Sequence, residues 1–426
     1  MSLPPYPNYK DSGVEWLGQV PEHWEVCALK RIVSMQSGES ITGESIEETG
    51  EYQVFGGNGL RGYTSAFTHD GKFVLIGRQG ALCGNINYAS GKFWASEHAV
   101  VATPIKQVNT VWLGEILRAM NLNQYSVAAA QPGLSVDLIG CIGIGLPPLP
   151  EQTQIAAFLD RETAKIDGLV AEQRRLMELL REKRQAVISH AVTRGLNPHA
   201  PMKPSGMAWL GEVPAHWEVI AAKRVSNVFV PQRNKPELNT DQDGVAWVTM
   251  ERMNSEEVQV TDLWVSDAAA RDAGSRVLKA GAVIASCVGT FGIAAVNRTD
   301  VIINQQLQAY ITSERMNTKF FRHCVVSSAC YFEMIGTAAT IAYVNQLGFE
   351  NMPLAVPPHE EQEAIVEHIA RETIKLDTLT AEAQRAIALL QERRSALISA
   401  AVTGQIDVRA PLALARRIDV PDAVAA

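Results

Sequence analysis

This chain of 426 residues has no long uninterrupted apolar run. The most apolar stretch, Gly281 to Val296, is cut by Gly289 and Gly292 and is too short to span a bilayer. The first residues, MSLPPYPNYKDSG, are polar and proline-rich, so neither a secretion signal nor a membrane anchor is expected. Cysteine is scarce and scattered, at 27, 83, 141, 287, 324 and 330, with no CxxC pair. That excludes a zinc ribbon and a secreted disulfide framework, and it fits a reducing cytoplasm. An excess of positive charge is also missing. The net charge is −8, which argues against wrapping nucleic acid by electrostatics alone. No basic region hides inside that total: residues 1–146 carry 9 basic and 13 acidic side chains, residues 201–356 carry 13 and 15.

Catalytic signatures are absent too. There is no GxxxxGKS/T phosphate loop, and the nine histidines show no HExxH or other metal-ligand spacing. An adenine methyltransferase needs Asn or Asp before Pro-Pro-Tyr to hold its target amine. The nearest match here is Leu3-Pro4-Pro5-Tyr6, and leucine cannot accept that hydrogen bond. Gly57-Asn58-Gly59-Leu60-Arg61-Gly62 spells GxGxxG after a strand-like EYQVF, but strand-like sequence follows where a dinucleotide site requires a helix. It reads as a glycine-rich turn presenting Asn58 and Arg61. With no nucleophile–base arrangement, the chain is expected to be non-catalytic and to bind no cofactor or metal.

What the chain does contain is repetition. Pro147 to Leu196 and Pro357 to Ile406 align without a gap, Gln152 lying 210 residues before Gln362, and about half of the paired positions are identical. Ile155, Leu159, Ile166, Leu169, Leu176, Leu180 and Val187 fall on steps of three, four and seven. Ile365, Ile369, Leu376, Leu379, Leu390 and Leu397 occupy the matching places. This spacing predicts two long helices with a heptad seam, each opening after a double proline. Neither helix hides its apolar stripe alone, so each is the natural partner of the other.

A second repeat stands ahead of each globular stretch. Ser12–Val26, SGVEWLGQVPEHWEV, matches Ser205–Val219, SGMAWLGEVPAHWEV. Trp16, Trp24, Trp209 and Trp217 are expected to anchor these segments by burial rather than to stack on bases, and His23 and His216 to be structural. The stretches between, about 30–146 and 223–356, resemble each other far less and look mixed α/β. In the first, strands are predicted at 52–55, 73–76 and 99–102 and a helix from Val111 to Tyr125; in the second, strands at 245–249, 282–285, 293–296 and 307–311 and a helix from Thr318 to Phe332. Apolar strands from Leu138 to Leu146 and from Phe349 to Val356 run into the double prolines. The expected segments are therefore 1–146, 147–196, 197–356, 357–406 and a tail at 407–426 that frays. A frame kept twice with heads that diverged suits recognition of two different things at a fixed separation.

Polar clusters on the heads are the candidates for base reading: Asn58, Arg61, Arg78 and Gln79 in the first, Gln232, Arg233, Asn234, Lys235, Asn304, Gln305 and Gln306 in the second. Arg can bond guanine O6 and N7, and Asn or Gln can bond adenine N6 and N7.

The combination is specific. PLPEQ or PHEEQ, a long helix containing RETxKxDxL and ending in ISxAVT, and GxxWLGxxPxHWEV ahead of each head resemble the specificity subunit of type I restriction-modification enzymes over nearly the whole chain. The resemblance implies an α+β protein with a pseudo-two-fold internal repeat. Two mixed α/β target recognition domains would be joined by long helices forming an antiparallel coiled coil. It further implies a bipartite double-stranded DNA target and a scaffold for two modification subunits that bind S-adenosylmethionine and methylate adenine. Restriction subunits, using ATP, would join to cleave. Partner subunits would then supply much of the phosphate contact, which reconciles the role with a net acidic chain. One departure is Pro150 in place of the more usual glutamate, which bears on the first turn of the first helix. Two other readings fit the repeats: a helical scaffold whose heads bind proteins, and the recognition subunit of a system with methylation and cleavage on one polypeptide.

Overall fold

The computed structural model describes residues 4–80, 83–126, 133–207, 209–259, 261–337 and 342–409. The chain separates into two compact units, Met1–Gln173 with Arg385–Ala426, and Arg174–Gln384. Each unit holds one anchor, one head and part of each long helix.

In unit 1 the anchor is a pair of short ladders. Strand β1 (Tyr9–Asp11) pairs with β2 (Gln19–Pro21), and β3 (Glu25–Ala28) pairs with β10 (Gly143–Leu146), the strand that enters the double proline. Between them lies a six-stranded sheet ordered β4 (Val33–Ser37), β9 (Ala99–Pro104), β7 (His69–Gly77), β8 (Ile86–Ala95), β5 (Tyr52–Gly56) and β6 (Gly59–Thr64). Its apolar strands bury both faces. Val74, Ile76, Val100 and Ala102 join the cluster under helix α1 (Thr110–Ala119), while Leu75 and Val101 face Phe55 and Phe93. This period-two division explains why FVLI and AVVA read as unbroken apolar runs.

Unit 2 repeats the plan. Strands β11 (Met202–Pro204) and β12 (Glu212–Pro214) pair, as do β13 (Glu218–Ala221) and β21 (Pro353–Val356). Its head has a four-stranded sheet, β14 (Ser226–Phe229), β20 (Leu307–Thr312), β17 (Val283–Ser286), β18 (Ala294–Val296), and a three-stranded one, β16 (Trp264–Val265), β15 (Val245–Val248), β19 (Val301–Ile303). The registers make these one sheet interrupted. Strand β5 pairs in parallel with the end of β8, and β15 pairs in parallel with β19. Position by position, β18 and β19 are the two ends of β8, separated by Asn297–Asp300. The Asn297 side chain fills the break, accepting from Ala282 N at 2.8 Å and donating to Lys279 O and Thr299 O.

Local caps start or stop helices where the sequence suggested other boundaries. The run Leu138–Leu146 is not one strand: helix α2 (Val136–Gly140), capped by Ser135, precedes β10. Asn345 likewise caps α7 (Gln346–Glu350) ahead of β21. Helix α1 stops at Ala119, because Asn121 takes a left-handed φ of 47°, and a 3-10 turn, Leu122–Tyr125, follows. The helix expected over Thr318–Phe332 is two, α5 (Thr318–Ser327) and α6 (Ala329–Ile335), and a short helix α4 (Asp267–Asp272) was not foreseen.

The long helices are α3 (Leu149–Arg194) and α8 (His359–Val402). Pro150 sits in the first turn of α3, where its missing N–H has no partner to lose, so that turn forms normally. In unit 1 the start of α3 (Ile155, Leu159) shares a core with the end of α8 (Ile398, Val402), while Asp167 Oδ1 meets Arg394 Nε at 3.0 Å. These segments therefore run in opposite directions. Unit 2 pairs Ile188 and Val192 with Ile365 and Ile369, and Arg184 Nε with Asp377 Oδ1 at 3.2 Å. Ile155, Leu159, Ile166, Leu180, Ile365, Ile369 and Leu376 are buried, and Val187, Leu390 and Leu397 are half-buried.

Three seam leucines are instead exposed: Leu169 at 52%, Leu176 at 41% and Leu379 at 46%. The facing positions are one residue later, at Val170, Met177 and Thr380, because a strict heptad from Leu159 and Ile166 continues through Gln173 rather than through the most apolar side chain nearby. No helix among the described residues is long and apolar enough to cross a membrane. The tail from residue 410 lies outside the described residues.

Candidate nucleic-acid interface

The repeated motifs join in a mount that orients each head on its helix. Glu151 in the first turn of α3 is buried; its Oε1 accepts from Trp24 Nε1 at 3.0 Å and Tyr6 Oη at 2.6 Å, and its Oε2 lies 2.7 Å from His23 Nε2. In unit 2, Glu361 Oε2 accepts from Trp217 Nε1 at 3.1 Å and lies 2.8 Å from His216 Nε2. Trp24 and Trp217 are fully buried and so cannot stack on bases.

The next residue ties down the head. Gln152 Nε2 donates to Pro147 O, and its Oε1 accepts from the backbone of Asn109, whose side chain caps α1. Gln362 makes the same bonds to Pro357 O and Asn317, the cap of α5. His-Trp and Glu-Gln, far apart in sequence, are thus two halves of one joint.

Each sheet carries a rim of turns distant in sequence and joined by backbone bonds. In unit 1, Arg78 N donates to His98 O at 2.9 Å, Leu134 N to Arg78 O, and Ala99 N to Ser96 O. In unit 2, Cys287 N donates to Gln306 O, Val344 N to Cys287 O, and Leu307 N to Asn304 O. Gly80 and Gly289 both take positive φ, 85° and 76°, so both turns leave the strand through a conformation suited to glycine. Arg78 therefore corresponds to Cys287, Ser96-Glu97-His98 to Asn304-Gln305-Gln306, and Gly133 to Tyr343.

The expected base-reading residues fall on or beside these rims. Asn58 closes the hairpin between β5 and β6, is exposed, and accepts from Asn85 Nδ2 at 3.2 Å; no helix follows this GxGxxG. Arg61 is exposed on β6, with its stem against Gly56. Arg78 is half-buried and donates to Ser37 Oγ at 2.9 Å, and Gln79 is exposed. In unit 2, Arg233, Asn234 and Lys235 form an exposed run after β14, and Gln305 Nε2 donates to the carbonyls of Gln232 and Arg233 at 3.1 and 3.2 Å. Asn304 and Gln306 bond to each other.

Glu97, His98, Asn85 and Tyr343 also stand on or beside these rims, with no sequence signal to mark them. Glu97-His98 has no motif of its own. It stands out only because its backbone bonds repeat those of Gln305-Gln306. Behind the second rim, burial pushes the Cys287 thiol up to about 11, which leaves it a neutral packing group. Among the described residues no three His, Cys, Asp or Glu side chains converge as a metal site.

Comparison with known proteins agrees with this geometry. The family profile described as "Type I restriction modification DNA specificity domain" matches residues 21–175 and 214–387, one stretch per repeat. The chain is 45% identical over 137 residues to the type I restriction enzyme EcoprrI specificity subunit of Escherichia coli, covering 31% of this chain and about a third (34%) of that relative's length. It is 22% identical over 422 residues to the type I restriction enzyme MjaVIII specificity subunit of Methanocaldococcus jannaschii, covering 92% of this chain and 95% of that protein. In fold it matches a solved chain from work on complex assembly and conformational transition of the type I R-M system, with TM-score 0.67 and 14% identity over 90% of this chain and 98% of that one. With its duplicated joint, its two rims and a family profile matching both halves, the chain belongs to the type I restriction-modification DNA specificity family.

Proposed function

We propose that this chain is the recognition subunit of a type I restriction-modification complex and that each unit reads one half of a split double-stranded DNA target. The observation that carries this reading is one backbone framework at both rims with different side chains on it. Arg78 stands where Cys287 is buried, and Glu97-His98 where Gln305-Gln306 stands. Residues 1–146 and 197–356 act as target recognition domains, and the segments 147–196 and 357–406 as the frame. Along their whole length the two helices form an antiparallel coiled coil, supported by the Asp167–Arg394 and Arg184–Asp377 pairs.

The frame also supports two copies of one partner. Leu169 and Leu389 are exposed in unit 1, and Leu179 and Leu379, their equivalents 210 residues apart, are exposed in unit 2. Apolar side chains kept exposed through a duplication fit repeated docking, here of two modification subunits. S-adenosylmethionine and ATP would bind partners, methylation and cleavage would belong to the cytoplasmic complex, and this chain alone would catalyse neither.

The test replaces residues 30–146 with the equivalent domain of another specificity subunit and maps methylated adenines in DNA. One half-site should change while the other and the gap persist. A change in both halves together overturns the modular reading.

A further inference from the structure

The two rims use their central turn differently. In unit 2 the Gln305 amide donates to two backbone carbonyls, Gln232 O and Arg233 O, and so holds the loop that presents Arg233, Asn234 and Lys235. Counting from the paired strands, with Ser37 opposite Val100 on β4 and β9 and Phe229 opposite Ala309 on β14 and β20, the matching loop of unit 1 begins at Glu39-Ser40. That loop is held by other means: Glu39 N donates to Ala95 O, and Trp94 Nε1 donates to Glu39 O at 3.1 Å.

Glu97, at the place of Gln305, has no N–H to offer a carbonyl. One of its oxygens lies 3.3 Å from His98 Nε2, and the other, Oε2, is buried without a hydrogen-bond partner among the described residues. Oε2 has no surface open to solvent, but the side chain as a whole is 35% exposed, which leaves Oε1, beside the half-exposed His98, as the oxygen a groove can reach. The neighbouring His98 backbone is met by Arg78, whose N–H bonds His98 O, and by the Gly57-Asn58 turn, where a Cβ on Gly57 would lie 3.1 Å from His98 O.

We propose that Glu97 is a specificity-determining residue of the first rim, its Oε1 beside His98 accepting a hydrogen bond from the exocyclic amine of a cytosine in the major groove. An ionised carboxylate accepts only, and cytosine N4 is the amine it suits; guanine O6 and N7 and thymine O4 would repel it. The counterpart Gln305 is by contrast a positioning residue, its amide spent on the loop. This inference rests on the proposed reading of DNA by the rims.

The experiment uses the complete complex, with its modification subunits, on a panel of duplexes. Each position of the first half-site carries each of the four bases in turn, and methylation rate is the readout. Wild type, Glu97→Gln, Glu97→Ala and Gln305→Glu are compared. In Glu97→Ala the preference for cytosine should fall on the order of tenfold at one position, with the other positions and the second half-site unchanged. Glu97→Gln should shift that position toward adenine, because an amide both accepts and donates. Gln305→Glu should slow methylation on every duplex without changing any base preference. Unchanged preference in both Glu97 variants overturns the inference, and so does a loss spread evenly over all positions, which would make Glu97 merely structural. Wild type that distinguishes no base in either half would instead overturn the reading of DNA itself.

Discussion

The two units share a joint but brace it unequally. Glu151 has three side-chain partners and is buried, whereas Glu361 has two and is partly exposed. Unit 2 compensates with charge. Where unit 1 turns tightly at Gly57-Asn58, unit 2 inserts the segment between β15 and β16, and Glu256 from that insertion meets Arg322 at 3.2 Å and Arg184 of α3 at 3.7 Å. Arg322 is almost wholly buried on α5 and also donates to Ala294 O; the equivalent position on α1 is Gly114, covered by the Tyr88 ring. A duplicated frame therefore tolerates different solutions at the same joint, provided the backbone bonds at the rim stay put.

That comparison can be broken experimentally. The largest effect expected is from Glu151→Ala, which leaves the Trp24 and Tyr6 donors buried and unpaired and should destabilise unit 1 by about 3–5 kcal/mol. Glu361→Ala should cost unit 2 only about 1–2 kcal/mol, since His216 remains in water. Hydrogen exchange of the full chain, read separately for α1 and α5, distinguishes the two, and equal losses would refute the asymmetry.

Next in size, Arg322→Ala should cost unit 2 about 2–3 kcal/mol by stranding Ala294 O and emptying a buried site, Glu256 keeping Arg184 and solvent, with no change in exchange from α1.

A pH dependence follows from the neighbouring His323, the counterpart of Glu115. Burial first, and then the charges of Arg322, Arg184 and Lys319, push its pKa down to about 3. The folded imidazole stays neutral while the unfolded one protonates below about 6.5, so the unfolded state binds more protons in that window. Stability is fully present above about pH 6.5 and is lost as pH falls toward 3, by at most about 1.4 kcal/mol per unit. His69 of unit 1 is displaced in the same direction by burial but is only half-buried, so unit 1 should show the shallower slope. His323→Gln should flatten the slope of unit 2 alone, as followed by exchange from α5 across pH 4 to 7.

The smallest effect on the free chain should come from Leu389→Ser or Leu179→Ser. An exposed side chain changes stability by less than about 0.5 kcal/mol. Each change should nonetheless weaken capture of one modification subunit, measured by the stoichiometry of the purified complex. Full occupancy in both variants would remove the leucines from the docking surface.

Much of this architecture was legible in the residues. The offset of 210 exposed the frame, the anchor repeat named the tryptophans, and short apolar runs set off by glycine marked β5, β7, β9, β15, β17, β18 and β20. Those signals are local or periodic, and they survive because burial of one face demands them. Strands β6 and β8 were missed because GLRGYT and INYASGKFWA mix polar and glycine residues that only pairing with neighbours makes regular. Leu169, Leu176 and Leu379 lie off the seam because heptad position, and not hydrophobicity alone, sets which side chain faces the partner helix.

By itself the sequence determined that there are two long helices, two anchors and two heads, since repetition and periodicity are properties of the chain alone. Tertiary structure decided which distant residues meet. Only folding brings His23 and Trp24 onto Glu151, and only the paired backbone shows Glu97-His98 in the place of Gln305-Gln306. Those contacts join residues across more than a hundred positions or through carbonyl and amide groups that every residue carries. No side-chain pattern records them.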